Sequence, residues 1–420
     1  MELDHMLTPQ SKVARENGNE CWLSIVGIGE DGWEGLSAAA KQAVETSEIL
    51  YGGTRHLAHI PIGKSRRLAW PSPMISALNE ILTLHRGKTR VSVLASGDPM
   101  LFGVGVTLTR ELNPGEFCVM PQVSAFSLAC ARLGWSVSET ILISLVNRPI
   151  EQLFRYLHRG QRLVIYSEDG MTPAKVAQFL VDNGYGSSQL AVFEYMGGSA
   201  EKRLDATAKE WPAKPCGDLN SIAIACTADI GIKSFSVVPG LSEDCFETDG
   251  QLTKREVRAV TLARLAPLPG ERLWDVGAGS GSIGIEWMRS HPSCSCVAFE
   301  EREERAARIS INKKRLGVPG LEVVCGSFPE TLHGFKLPNA IFIGGGLGRE
   351  GLFRACWDKL ITGGRLVVNA VTIESEATVA NLHKQYGGDL VRILVARAEP
   401  VGGTLGWRHL MPITQWVVNK

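Results

Sequence analysis

The chain has 420 residues, 44% of them hydrophobic and 21% charged, with 44 basic side chains against 44 acidic ones. That length suits two or three domains of ordinary size, and the composition is that of a soluble globular protein. A net charge of zero leaves no bulk field to favour nucleic acid or an anionic membrane, and no apolar run reaches the roughly 18 residues a membrane span needs.

Residues 1–20 are polar and lack the apolar stretch of a secretory signal, so they read as a disordered lead-in. From there, Trp22–Val26, Val91–Ala95, Phe117–Met120 and Ile141–Leu145 read as buried strands. Leu36–Glu48 reads as a helix with Ser37 as its N-cap. A second block starts near residue 160, with strands at Leu163–Tyr166, Leu190–Tyr195 and Ser221–Cys226. Its helix, Thr172–Asn183, is entered through Pro173. The acidic stretch with Pro239, Gly240 and Gly250 reads as a linker, placed at 241–252. The expected division is therefore a first domain at 21–240, made of two α/β lobes split near 150–160, and a second at 253–420. The second domain is basic, since residues 250–420 carry 22 Lys and Arg against 16 Asp and Glu. That balance suits an anionic substrate, and equally a solvated basic face.

The second domain follows a stricter rhythm. Strands are expected at Arg272–Val276, Val297–Glu300, Glu322–Cys325, Ala340–Ile343 and Arg365–Asn369, with helices at Ile283–Arg289 and Glu303–Leu316. Leu394–Ala396 and Thr414–Val418 are expected to close the sheet as an antiparallel pair. This is the pattern of a doubly wound, Rossmann-like α/β sheet. The ten cysteines are scattered, with no Cys-x-x-Cys pair and no metal-ligand spacing, so no metal site is expected. They read as reduced, small core residues of a cytoplasmic protein.

The chemistry concentrates in glycine-rich turns. Asp275-Val276-Gly277-Ala278-Gly279-Ser280-Gly281 leaves a strand and opens a helix, where glycines let the backbone approach a ligand closely. About twenty residues on, a second strand ends in Glu300, whose carboxylate can accept both hydroxyls of a ribose diol. Gly279-x-Gly281-x-x-Gly284 also satisfies the dinucleotide fingerprint. Asp275, two residues before Gly277, fits a methyl-donor site better, facing the methionine end of S-adenosylmethionine through water or the amine. A plain packing turn is the third reading. Gly326 and Ser327, after the third strand, stand where such folds meet an adenine. In the first half, Gly27-Ile28-Gly29-Glu30-Asp31-Gly32 follows a strand, but the next strand runs into Gly52-Gly53 without the acid that NAD requires. Gly97-Asp98-Pro99 follows a further strand and suits a turn at a sheet edge.

These segments carry a resemblance. GIGEDGWEGLS (27–37), YGGTRHL (51–57), LASGDPMLFGVG (94–105), PQVSAFSLACARLGW (121–135) and EYMGGSAEKR (194–203) resemble the tetrapyrrole methylase family, nearest its corrin-pathway member acting at carbon 5. DGQLTKREVRA (249–259), LWDVGAGSGSIGIEW (273–287), FEEREERAARISINKKRLGV (299–318), FPETL (328–332), AIFIGGG (340–346) and GGRLVVNAVTIES (363–375) resemble the carbon-15 methyltransferase and decarboxylase of the same pathway. The resemblance implies a two-lobed methylase domain joined to a class I methyltransferase domain. It implies one S-adenosylmethionine site in each half, a tetrapyrrole substrate, and a homo-oligomer through the second domain. By similarity, Gly97, Asp98, Phe102, Ser124, Met196 and Gly197 join Gly27 and Gly29 as donor-binding positions. A His-Gly-Arg common in the family stands here as Val146-Asn147-Arg148, and Asn339 replaces a common aspartate.

The implied chemistry is methylation of two meso carbons of the macrocycle and loss of the ring-C acetate carboxyl, a reaction in which the conjugated ring can absorb the electrons. Arg55 and Arg148, and Thr253, Lys254, Arg255 and Arg258, are the candidates for gripping the carboxylate-edged substrate. His56, Asn369 and Thr372 are the candidate catalytic groups, each with an ordinary structural alternative: a satisfied histidine, and loop capping. Whether the macrocycle is metal-free or carries cobalt stays open, the fused architecture resembling the metal-free branch. An RNA- or protein-directed methyltransferase is disfavoured because Phe342-Ile343-Gly344-Gly345-Gly346 is too small to clamp a flipped base. A scaffold role for one half is the remaining rival.

Overall fold

The computed structural model describes residues 21–420, and the expected lead-in at 1–20 lies outside the described residues. The chain divides into two compact units. The first runs to Arg148 and resumes over Arg159–Ile232, and the second combines Pro149–His158 with Lys233–Lys420.

In the first unit, β1 (Leu23–Ile28), β2 (Ile49–Gly52), β3 (Arg66–Ala69), β4 (Val91–Ser96) and β5 (Phe117–Met120) form a parallel sheet ordered β3-β2-β4-β1-β5. Leu23, Ile25, Val26, Val93 and Leu94 are fully buried. Such continuous apolar runs are what a sheet covered on both faces requires. The helix Ala38–Thr46 starts as expected, with the Ser37 side chain accepting from the Ala40 N–H. The second lobe is a mixed sheet of β6 (Thr140–Ser144), β7 (Arg162–Tyr166), β8 (Gln189–Glu194), β9 (Lys202–Thr207) and β10 (Asn220–Ala225), ordered β6-β7-β10-β8-β9. The sequence pattern missed β3 and β9. Both are edge strands with mostly exposed or half-exposed side chains, Arg66–Ala69 and Lys202–Thr207, so neither carries the apolar run that marks a buried strand.

The second unit is built on seven strands: β11 (Arg272–Val276), β12 (Ser295–Glu300), β13 (Glu322–Cys325), β14 (Ala340–Ile343), β15 (Arg365–Ala370), β16 (Asp389–Ile393) and, after a separate hairpin of β17 (Ala396–Val401) and β18 (Thr404–His409), β19 (Ile413–Asn419). The order is β13-β12-β11-β14-β15-β19-β16, and β19 runs antiparallel to both its neighbours. The first five positions match a doubly wound dinucleotide sheet, and the antiparallel β19 departs from it. The closing strand lies at Asp389–Ile393 rather than Leu394–Ala396: Leu394 is 68% exposed and begins the turn into the hairpin.

Both faces of this sheet carry a core. One holds Leu262, Leu265, Ile283 and Trp287, and the other Trp274, Phe299, Phe353 and Trp416. The stretch 241–252, expected as a linker, lays Leu241, Cys245, Phe246 and Leu252 into the first of these cores. The Glu286 carboxylate fastens its start, accepting the N–H of Gly240 at 2.6 Å and of Leu241 at 3.1 Å. Residues 149–158, expected as the lobe boundary, also pack here. Arg155 donates to the carbonyls of Met288 (3.0 Å) and Arg289 (3.1 Å), and the Phe154 ring lies 5.3 Å from that of Phe235.

Candidate functional site

Where β11 runs out, the backbone turns through Gly277 (φ 71°), Gly279 (φ 60°) and Gly281 (φ 77°), the left-handed region that favours glycine. The turn is crowded from outside. A Cβ on Gly277 would meet the Gly345 N at 3.2 Å, and one on Gly281 the Ile309 Cγ2 at 2.8 Å. Above it opens a cavity of about 830 Å³, at the large end of ligand pockets and over the carboxyl ends of the strands, where open α/β sheets bind ligands. Its lining includes the glycine turn at Gly277 and Gly279 with Phe299, Glu300 and Phe328, the residues Asn369, Thr372, Ile393, Leu410 and Met411, and the polar and cationic Thr253, Lys254, Arg302, Arg305 and Arg349. Arg305 pairs with Asp249 and Arg349 with Glu301.

Glu300 sits at the cavity's edge with its carboxylate fixed, Oε2 accepting the Gly279 N–H at 2.7 Å and Oε1 the Arg302 N–H at 3.1 Å. Each oxygen keeps a lone pair for a hydroxyl donor. Asp275 does not reach the cavity. It is 1% exposed, turned beneath the glycine loop toward the helix Ser282–Ser290, where Oδ2 accepts the Gly284 N–H at 2.9 Å and Oδ1 has no partner. Burial pushes its carboxyl up to about 7, against the pull of that one hydrogen bond. The expectation that it faces the methionine end of a donor is corrected: it props the turn from below. Ser327 is not part of the lining; its Oγ accepts from the lining residue Arg349 at 2.7 Å, while Gly326 beside it lines the cavity.

Two expected substrate cations are corrected. Arg258 is fully buried; it donates to Glu286 Oε1 at 2.8 Å and to the carbonyls of Thr253 and Leu241, and packs over the Phe246 ring. Arg255 is exposed and lies outside the cavity lining. Both stand on the helix Arg255–Leu265; the Arg255 N–H and the Arg258 guanidinium hold the segment 241–253, while Val257 between them lines the cavity. Thr253 and Lys254, just before it, do line the cavity, as do Asn369 and Thr372. Thr372 also caps the helix Ile373–Tyr386, accepting the Ser375 N–H at 3.2 Å.

In the first unit a small cavity, about 80 Å³, gathers Gly29, Arg55, Gly97 and Met196 with Glu30, Ser96 and Asn220. Gly27 lies behind it; a Cβ there would stand 2.0 Å from the Gly97 carbonyl oxygen and 2.6 Å from the Gln122 N, so two backbone strands meet where only hydrogen fits. Arg55 pairs with Glu30 and donates to Ser96 Oγ (2.9 Å) and to His56 Nε2 (2.8 Å). His56 Nε2 must therefore be the acceptor, which puts the ring hydrogen on Nδ1, buried without a partner. Burial, helped by Arg55 and His59, lowers the imidazole to about 4, so His56 is neutral at neutral pH. It does not line the cavity.

The other expected positions make local contacts outside it. Asp98 Oδ1 accepts the Met100 N–H at 2.8 Å, Ser124 caps the helix Ala125–Leu133, and the Gly197 N–H donates to Glu201 at 2.7 Å. Phe102, 49% exposed at φ 56°, carries the Arg148 guanidinium 4.7 Å above its ring.

Known proteins resemble the chain over 95% of its length. Residues 23–212 match the tetrapyrrole (corrin/porphyrin) methylases, and residues 244–420 the precorrin methyltransferase domain. The precorrin-6Y C(5,15)-methyltransferase [decarboxylating] of a Sinorhizobium species is 45% identical over 402 residues, 95% of this chain and 96% of its own. Its namesake from Mycobacterium tuberculosis is 42% identical over 95% of this chain and all of its own length. The chain belongs to this family of decarboxylating methyltransferases. A solved structure, the C-terminal domain of precorrin-6Y C5,15-methyltransferase from Rhodobacter capsulatus, is 43% identical and covers 44% of this chain and 100% of that one, with a TM-score of 0.42. Membership makes the chain a methyltransferase and implies S-adenosylmethionine as methyl donor.

The second unit's cavity fits that donor. It has the volume, an exposed glycine backbone at Gly277 and Gly279, and the Glu300 acceptor beside aromatic Phe299 and Phe328. The first unit's cavity is too small to enclose a nucleoside, and Phe102 stands beyond it, open to solvent. Among the described residues no His, Cys, Asp or Glu cluster of metal-binding size occurs. Sequence reasoning missed Phe299, Phe328, Arg302, Arg305, Arg349 and Met411, all on the cavity wall. Arg302 and Arg305 follow directly on Glu300, so the loop after the second strand was the signal available. Nothing in spacing brings Met411 to the site, because the hairpin of β17 and β18 carries it there.

Proposed function

We propose that this chain methylates precorrin-6Y at carbons 5 and 15 and removes the carboxyl group of its ring-C acetate, with one S-adenosylmethionine site in each unit. The observation that carries this reading is the large cavity of the second unit, about 830 Å³, whose lining takes in the glycine turn at Gly277 and Gly279 and Glu300 as well as Asn369 and Met411. Its volume leaves room for a donor and part of a flat acceptor. S-adenosylmethionine supplies an electrophilic methyl group on a sulfonium.

The protein's contribution is alignment and exclusion of water, which alone lower such barriers by several kcal/mol. Glu300 would take the ribose hydroxyls, and the backbone at Gly277 and Gly279 would admit the donor. Lys254, Arg302 and Arg349 would hold carboxylates of the macrocycle that persist into product. In the first unit, Gly97, Met196 and the Glu30–Arg55–His56 cluster would form the closed floor of the carbon-5 site, with Asp98 and Phe102 at its open side. A neutral His56 accepting from Arg55 would hold that guanidinium in place. The reading includes self-association through the second unit and a cytoplasmic location; among the described residues no helix is long and apolar enough to cross a membrane.

The test is a mass-spectrometric assay of purified protein with S-adenosylmethionine and either precorrin-6Y or its cobalt form. The expected product from the metal-free substrate gains two methyl groups and loses one carbon dioxide. No mass change with either macrocycle, while donor is bound, would overturn the assignment.

A further inference from the structure

One residue of the cavity lining, Asn369, belongs to a buried polar network. Thr261 and Gln415 are fully buried and Asn369 is 9% exposed, its open edge on the cavity. The Thr261 hydroxyl donates to the Val257 carbonyl at 2.8 Å. Its one hydrogen is thereby spent, so it can only accept from its other neighbours. It accepts from Asn369 Nδ2 at 2.9 Å and from Gln415 Nε2 at 3.1 Å, and Gln415 Nε2 donates again to Asn369 Oδ1 at 2.9 Å.

The polarity of all three groups follows from that single hydroxyl. Gln415 commits both amide hydrogens and leaves its Oε1 buried without a partner. Turning that amide over would point its oxygen at two acceptors. Asn369 is gripped on its nitrogen and its oxygen, and its second amide hydrogen is left unused. Asn369 shares the cavity lining with the apolar Val371, Ile393, Leu410, Met411 and Ile413, and with Thr372 and Lys254.

We infer that this fixed Asn369 N–H holds the acetate carboxylate that the enzyme removes, and that Thr261 and Gln415 are positioning residues for it. The inference rests on the proposed reaction and goes beyond it by assigning the site of carbon dioxide loss. A carboxylate presents only acceptors, so of the free positions on Asn369 only the N–H can engage it. A neutral donor orients a carboxylate while stabilising its charge less than a guanidinium or ammonium does. The apolar residues of the lining add desolvation, which favours loss of the charged group. Carboxylates that must survive belong at Lys254 and Arg302, and the departing one belongs at Asn369. In the step, the bond between the acetate methylene and its carboxylate carbon breaks. Its electron pair passes into the conjugated macrocycle, carbon dioxide leaves, and the methylene carbon takes a proton from water to become methyl.

The test follows loss of carbon dioxide from precorrin-6Y by mass, with S-adenosylmethionine binding by the same variant as the control. Asn369→Ala should slow carbon dioxide loss roughly 10- to 100-fold through kcat, leaving donor affinity unchanged. Thr261→Val should slow it in the same sense, and Thr261→Ser, which keeps the hydroxyl, should restore it. Asn369→Ala or Thr261→Val losing carbon dioxide at the unaltered rate would overturn the inference. So would Thr261→Ser failing as badly as Thr261→Val in a folded protein. If the unaltered chain methylates but releases no carbon dioxide, the proposed reaction itself fails and this assignment with it.

Discussion

Replacing Arg258 by Met tests whether this arginine grips substrate or holds the fold. The side chain is buried against Glu286, which is itself 2% exposed. Taking away one member of a buried ion pair costs about 3–5 kcal/mol, because the other charge is stranded. Glu286 keeps the N–H groups of Gly240 and Leu241, which places the expected loss near the low end, about 3 kcal/mol. The carbonyls of Thr253 and Leu241 lose their donor as well. For a unit of roughly 200 residues, each kcal/mol moves the midpoint about 2–4 °C, so its calorimetric transition should fall by roughly 6–12 °C. The transition of the first unit should not move. Adding Glu286→Gln removes the stranded charge while keeping one acceptor for 240–241, and should recover part of the loss. In the folded variant, KM for the macrocycle should be unaltered. A transition shifted by less than about 2 °C together with a raised KM would refute this reasoning and return Arg258 to the substrate.

Asp275 gives a pH signature. Its folded value of about 7 lies above the ordinary 3.8, so the folded unit binds an extra proton between the two; the group's contribution is full below about pH 4 and is lost as pH rises through 7. Asp275→Asn should flatten the fall in second-unit stability over that window, and an unchanged slope in denaturation at several pH values would contradict the assignment. Glu300→Ala should weaken donor binding in the second unit roughly 10- to 100-fold, so calorimetric titration should lose one of two binding events; two undiminished events would count against Glu300 as the ribose acceptor. Gly27→Ala drives a methyl into the Gly97 carbonyl and the Gln122 nitrogen, and neither backbone atom can yield. Donor binding and methylation at carbon 5 should vanish with the second unit's activity intact, and a variant active at carbon 5 would show that the turn relaxes.

The parallel strands were legible because their surroundings leave little choice: β1, β4, β11 and β14 are largely buried and read as short, mostly apolar runs. Two edge strands, β3 and β9, were not, because their side chains are mostly exposed or half-exposed, whereas the edge strands β5, β6 and β13 were found. The segment 241–252 was misread because four apolar residues spaced among acids look like a solvated connector until a core is there to receive them. At the site, glycines and strand ends were legible, because close approach and sheet topology leave local traces. The direction of a charged side chain leaves none. Asp275 and Arg258 were assigned to the ligand on type and position, and both turned inward to groups 9 and 28 residues along the chain. Asn369 was found from its strand end alone, but its partners Thr261 and Gln415 lie 108 and 46 residues away and had no signal.

The placement of residues 149–158 in the second unit means that the chain passes between the units three times, after Arg148, after His158 and after Ile232. During synthesis these ten residues leave the ribosome within the first unit's sequence, and the surface they cover does not yet exist. Arg155 and Phe154 therefore wait, hydrated, until the helix Ser282–Ser290 and Phe235 have formed. A protease cut near Ile232 would not release two independent pieces, because the first fragment would still carry part of the second unit's covering. A second unit prepared from residue 233 onward would present the carbonyls of Met288 and Arg289, and the face of Phe235, to water.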